Sequence, residues 1–151
     1  MDKGVYCLVF KNPASTVRIG ALGDLSFRAG WHIYVGSALG GGGLKRLFRH
    51  IGLALEKNRQ PKWHVDYLTM DRHFLLMYAI SAATTLRLEC PLVGKIGGAY
   101  VPGFGCSDCS CKSHLLYRNH DPQKEISASF QALDLKPDIK RIMSRETKAI
   151  L

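Results

Sequence analysis

Two short tripeptides carry the first chemical signal, Gly4-Val5-Tyr6 near the N-terminus and Tyr34-Val35-Gly36 further on. Each alone is an ordinary strand fragment, because Tyr and Val both suit a pleated surface. Their order says more, since a basic segment follows the second, with Arg46, Arg49 and His50 at i, i+3 and i+4. On an ideal helix these three share one face and can converge on one phosphate. Phosphodiester cleavage gathers negative charge on the phosphate oxygens, so cations aimed there lower the barrier. Arginine suits that work because it stays charged and its planar fork matches phosphate. The plain alternative is a solvated basic helix face. Lys45, Lys57, Arg59 and Lys62 extend the positive stretch as candidate nucleic-acid contacts, with Glu56 the one acid among them, and His64 joins them as a further contact. In Trp63-His64-Val65-Asp66, the His and Asp either meet substrate or metal, or pair to lock a loop. Trp63 either stacks on a base or packs in the core.

A second cluster is Cys106-x-x-Cys109-x-Cys111-x-x-His114, with Cys90 as a further donor. Zinc takes four Cys or His donors in a tetrahedron, so the set is a candidate structural zinc site. The alternative is a packed group of reduced thiols. Five cysteines, three of them within residues 106–111, make a poor disulfide framework. The expectation is therefore reduced thiols in a cytoplasmic protein. Cys7 reads as core.

The elements that must position these groups follow from the hydrophobic pattern. Residues 4 to 10 read as a buried strand, and Val17 to Ala21 with Leu25 to Arg28 as a hairpin about Gly23-Asp24. Trp31 to Val35 is a further strand, followed by the glycine loop Gly40 to Gly43. That loop is either a phosphate cradle or a connector. A helix is expected from about Leu44 to Glu56, with Leu44, Leu47, Phe48, Ile51 and Leu55 as its apolar face and Lys45, Arg46, Arg49 and His50 on the other side. Phe74 to Ser81 reads as a central strand, and Thr84 or Thr85 as the cap of a helix to about Lys95, kinked at Pro91. Residues 97 to 111 read as irregular, His114 to Tyr117 as a last strand, and the segment after Asp121 as one or two helices.

The chain has 151 residues, 46% of them hydrophobic, as suits one domain with one core. Lys and Arg number 21 against 12 Asp and Glu, a formal charge of +9, which favours a polyanionic partner or else only a solvated surface. The longest apolar stretch, Phe74 to Ala83, is too short for a membrane-crossing helix, and Met1 to Gly4 shows no secretory segment. No membrane association is expected.

With these motifs in hand, the sequence resembles the GIY-YIG nuclease superfamily. Within it the chain is similar to an archaeal-type branch found alone or fused to endonuclease III-like glycosylases. The resemblance rests on Gly4-Val5-Tyr6, Tyr34-Val35-Gly36-Ser37-Ala38, Gly43-Leu44-Lys45-Arg46, Arg49-His50, Trp63 through Leu68, Glu89-Cys90, and Gly103-Phe104-Gly105 through Ser113-His114-Leu115. It covers roughly residues 4 to 117, which leaves 118–151 as a C-terminal extension of a single domain spanning 1–151.

The resemblance implies an α+β fold, an α/β sandwich with a small antiparallel sheet flanked by helices. It implies a divalent-metal-dependent endonuclease that hydrolyses DNA phosphodiester bonds, in repair or processing, with a DNA-repair glycosylase as a possible partner. Its catalytic residues carry over to Tyr6, Tyr34, Arg46 and Glu89. The tyrosines lie near the scissile phosphate, the arginine stabilises its charge, and Glu89 holds Mg²⁺ or Mn²⁺. His50 matches a helical position where members carry His or Tyr. Two departures stand out. The glycine run before Leu44 is longer than usual, and the superfamily's substrate-contacting Asn has no equivalent, with Ser107 or Asp108 as substitutes. The competing readings are a noncatalytic nucleic-acid-binding module and a zinc-stapled interaction protein.

Overall fold

The computed structural model describes residues 2–57, 60–105 and 111–142. Its centre is a five-stranded antiparallel sheet in the order β6-β4-β1-β5-β7. The strands are β1 (Gly4–Asn12), β4 (Gly30–Ala38), β5 (Leu75–Ala83), β6 (Leu115–Arg118) and β7 (Asp138–Arg141). A separate hairpin joins β2 (Ser15–Arg18) to β3 (Asp24–Phe27). The helices are α1 (Lys45–Glu56), α2 (His64–Met70), α3 (Glu89–Ile96) and α4 (Gln123–Ala132). This is the expected α/β sandwich.

The unbroken apolar run of β1 has a direct physical cause. The strand is central, so both of its faces must be covered. Tyr6, Leu8 and Phe10 join Leu47 and Ala54 of α1 and Val65 and Leu68 of α2 on one side of the sheet. Val5, Cys7 and Val9 join Leu92 of α3 and Ile126 and Phe130 of α4 on the other. Successive residues point to opposite faces, so one strand serves two cores.

Several elements depart from the sequence expectation. α1 has the expected bounds but a different inward face. Leu47, His50, Leu53 and Ala54 are buried, whereas Phe48 and Leu55 are exposed at 48% and 52%. His50 turns inward because a buried hydroxyl awaits it there. Pro91 does not kink α3, because the helix starts at Glu89 and places the proline in its first turn, where no amide donor is needed. Thr84 does not cap that helix, and its hydroxyl instead accepts from the Leu86 amide in a turn. Trp63 to Leu68 enters a short helix, and the segment after Asp121 yields α4 followed by the edge strand β7.

In the glycine loop the Gly43 amide donates to the Gly40 carbonyl and the Lys45 amide to that of Gly42, with Gly42 and Gly43 at φ of 87° and 54°. Side chains strain in that left-handed region, which explains the glycines. Among the described residues, no helix is long and apolar enough to cross a membrane.

Candidate active site

Strand register brings the two tripeptides together. Tyr6 pairs with Gly36, and Leu8 pairs with Tyr34, so both tyrosines project from the same sheet face as diagonal neighbours. The glycines are required by what lies beside them. A Cβ on Gly36 would sit 2.7 Å from Tyr6 Cζ and Oη and 3.0 Å from Tyr34 Cε2. A Cβ on Gly4 would fall on the Ala82 carbonyl oxygen. Gly36 thus leaves the gap that admits both rings, whereas Gly4 makes room for the neighbouring strand.

The rings open onto a cleft of about 290 Å³. Tyr6, Tyr34, Arg46 and Glu89 all line it, together with Lys62, Trp63, His64, Arg87 and His114. Gly36, Ser37 and Gly105 complete the wall in backbone. Arg46 is held by donating to the Ser37 carbonyl at 2.8 Å, and its guanidinium lies 5.1 Å from the Trp63 ring centroid. Glu89 enters from the first turn of α3, whose Leu92 is anchored in the core on the opposite side of the sheet. Phe104, fully buried against Tyr34 and His64, pins the loop that precedes β6. Burying such a ring contributes about 1.5–3 kcal/mol. The pinned loop lets the Gly105 amide donate to His64 Nδ1 at 3.1 Å.

Behind the cleft wall stands a buried relay. Tyr6 Oη and His50 Nε2 are 2.9 Å apart, and His50 Nδ1 faces Asp66 Oδ1 at 3.9 Å. Among the described residues Nδ1 makes no hydrogen bond, but the nearby carboxylate charge favours a proton there, the tautomer in which Nε2 accepts from the Tyr6 hydroxyl. Burial lowers the His50 pKa to about 4, against the opposing pull of Asp66 and with help from Arg49 and Arg46. His50 is therefore neutral near pH 7. Burial also pushes the Tyr6 phenol far above its ordinary value, with Tyr34 adding to the rise and Arg46 opposing it. The Tyr6 proton therefore stays on oxygen in the resting protein.

Asp66 anchors this assembly. It accepts from Arg49 through both oxygens, at 3.2 and 2.9 Å, and from the amides of Lys62 and Trp63 at 2.7 and 3.1 Å. The amide contacts cap the start of α2. Burial pushes the Asp66 carboxyl up, but the Arg49 and amide hydrogen bonds outweigh it and hold the pKa below 3.8. A carboxyl whose pKa falls on folding stabilises above its unfolded pKa and loses that contribution as pH drops through the folded value. Asp66→Ala is expected to cost about 2–3 kcal/mol, because it strands a half-buried cation whose remaining exposure screens part of the loss. For a chain of this size that is a fall in Tm of roughly 5–10 °C at pH 7, with the gap to the parent closing below about pH 4. Equal melting temperatures at pH 7, followed by circular dichroism, would remove Asp66 from this role.

Arg46, Arg49 and His50 of α1 thus face different destinations rather than one phosphate. Arg46 reaches the cleft, His50 lies behind Tyr6, and Arg49 is committed to Asp66 while stacking 4.4 Å from the Trp63 centroid. His64 and Asp66 do not pair with each other. Lys57 lies off the cleft, where its Nζ donates to the carbonyls of Thr69, Asp71 and Phe74. Lys45 opens α1 and does not line the cleft, whereas Lys62 does. Trp63 is 39% exposed and is no core residue. Arg59, Cys106, Ser107, Asp108 and Cys109 lie outside the described residues. Sequence reasoning missed Arg87, whose one signal was its place two residues before Glu89.

The cysteines correct an expectation. Cys90 and Cys111 are joined by a disulfide rather than standing as reduced thiols, because α3 and the segment before β6 bring them face to face. The two sulfurs and one His114 nitrogen lie within 4.8 Å of one another, a group with the donors to hold a metal ion. Cys7 is free and buried in the core, as expected.

The model of a family described as a domain of unknown function, DUF123, matches residues 5–135. No curated protein and no solved structure matches the chain.

Proposed function

The chain belongs to the DUF123 family, and we propose that it is a divalent-metal-dependent endonuclease of the GIY-YIG type, acting on DNA in repair or processing. The observation that carries this reading is the meeting of Tyr6, Tyr34, Arg46 and Glu89 on one cleft. Lys62 and Arg87 add positive charge to the same wall. A carboxylate among these cations would repel a phosphate unless a cation stood between them. That argues against a noncatalytic binding module, which needs the basic groups but not Glu89. One carboxylate suits Mg²⁺ or Mn²⁺, since such ions keep several waters and take further ligands from substrate phosphate. Glu89 would hold the ion, which when bound supplies Lewis-acid stabilisation of the phosphate oxygens.

The chain's own groups do the rest. Arg46, pre-positioned by Ser37 and Trp63, meets the phosphate without reorganising as charge develops. Tyr6 takes a proton from the attacking water as it passes its own to neutral His50. The imidazolium so formed gains the Asp66 charge 3.9 Å from Nδ1, which offsets the penalty of charging a buried ring. Tyr34 lies beside Tyr6 on the same sheet face and lines the same cleft, where its hydroxyl would meet the phosphate.

The test is a nicking assay on branched, damaged and single-stranded DNA, with and without Mg²⁺ or Mn²⁺. Cleavage that requires the ion and stops with chelator is the expected result. Binding should fall at least about tenfold between 50 and 200 mM salt, since phosphate contacts release counterions. No cleavage on any substrate, with salt-sensitive binding retained, would leave the noncatalytic module as the better account.

A further inference from the structure

We propose that Cys90, Cys111 and His114 form a second, separate metal site that takes one zinc ion when the two cysteines are reduced. The observation is the position of His114. Its Nε2 stands 3.0 Å from Cys111 Sγ and 3.8 Å from Cys90 Sγ, on a side chain only 5% exposed. Once the disulfide is reduced, two thiolates and an imidazole nitrogen facing one point are a zinc donor set. Zn–S bonds of about 2.3 Å and a Zn–N bond of about 2.0 Å at tetrahedral angles put the donors roughly 3.5–3.8 Å apart. The three atoms already lie within 4.8 Å of one another. Soft sulfur donors favour zinc over the hard cation that Glu89 suits, so neighbouring residues 89 and 90 serve different ions.

The chemistry balances in two steps. The disulfide takes two electrons and two protons from a dithiol, which is itself oxidised to a disulfide. Each new thiol then loses its proton as its sulfur bonds to zinc, so binding releases two protons from the cysteines. Both states tie the first turn of α3 to the segment before β6. The strap therefore fixes Glu89 at the cleft in oxidising and reducing conditions alike. Among the described residues three donors meet here, and a tetrahedral zinc takes one more.

The proposal is independent of the nuclease reading, and its test reads metal rather than cleavage. The full chain is reduced with a dithiol, desalted without oxygen, loaded with zinc in excess Mg²⁺, and passed through gel filtration. About one zinc per chain is expected in the reduced protein and at least about tenfold less in the oxidised protein. Cobalt(II) in place of zinc should give sulfur-to-metal absorption bands that His114→Ala weakens. The comparison of reduced and oxidised parent needs no variant, so a misfolded mutant cannot mask the answer. Equal zinc in the two forms, or none in the reduced form, would overturn the proposal and leave Cys90–Cys111 as a plain disulfide.

Discussion

Glu89→Gln is expected to reduce divalent-metal-dependent cleavage by about 10³-fold or more while leaving DNA binding largely intact. Glutamine keeps the size and shape of the side chain but not the charge that holds a hard cation. Losing several kcal/mol of transition-state stabilisation corresponds to a rate loss of this order. The fold should survive, because Glu89 is only partly buried in the first turn of α3 and the helix is held by Leu92 in the core. Binding is expected to stay level or tighten slightly, since a negative group leaves a positive cleft. Single-turnover cleavage at saturating enzyme separates chemistry from affinity. A Glu89→Gln protein that cuts at the parent rate under those conditions would end the metal assignment. A buried, ion-paired Asp66 is no ready replacement, since Arg49 and two amides already use its oxygens.

Arg46→Ala is expected to slow the same step by about 10²–10³-fold, the usual cost of removing one pre-positioned donor from an oxyanion. Some binding should also go, because the guanidinium meets phosphate in the ground state as well. The two variants therefore differ in signature. Glu89→Gln loses rate alone, whereas Arg46→Ala loses rate and some affinity. Arg46→Lys is expected to recover binding more than rate, because an ammonium supplies charge but not the fork that Ser37 and Trp63 orient. Arg46→Ala that weakens binding with an unchanged single-turnover rate would reassign Arg46 to substrate capture.

The sequence by itself determined the buried first strand, the position of α1, and the presence of two Gly-Tyr tripeptides in order. Those are local facts. The apolar run of residues 4–10 must be buried on both faces, and a run with helical spacing must be a helix. The glycine in each tripeptide was legible as a residue, but its purpose was not. That purpose appears only when Tyr6 crosses over Gly36 in the paired strands.

Only the tertiary structure decided where the charged residues of α1 go. Spacing on an isolated helix places Arg46, Arg49 and His50 together, but spacing does not say what surrounds them. Asp66, twenty residues beyond Arg46 and arriving on α2, draws Arg49 away and sets the His50 ring behind Tyr6. The buried face of α1 is Leu47, His50, Leu53 and Ala54, which leaves Phe48 and Leu55 at the surface and seats His50 against the Tyr6 hydroxyl. Cys90, Cys111 and His114 stood in the sequence among the candidate zinc donors, but spacing did not show that these three meet. Twenty-one residues separate the two cysteines, and only the packing of α3 beside the approach to β6 closes that distance. Periodicity reports which residues an element can present. Contacts between elements far apart in the chain select which of them it does present, and that selection made the cleft.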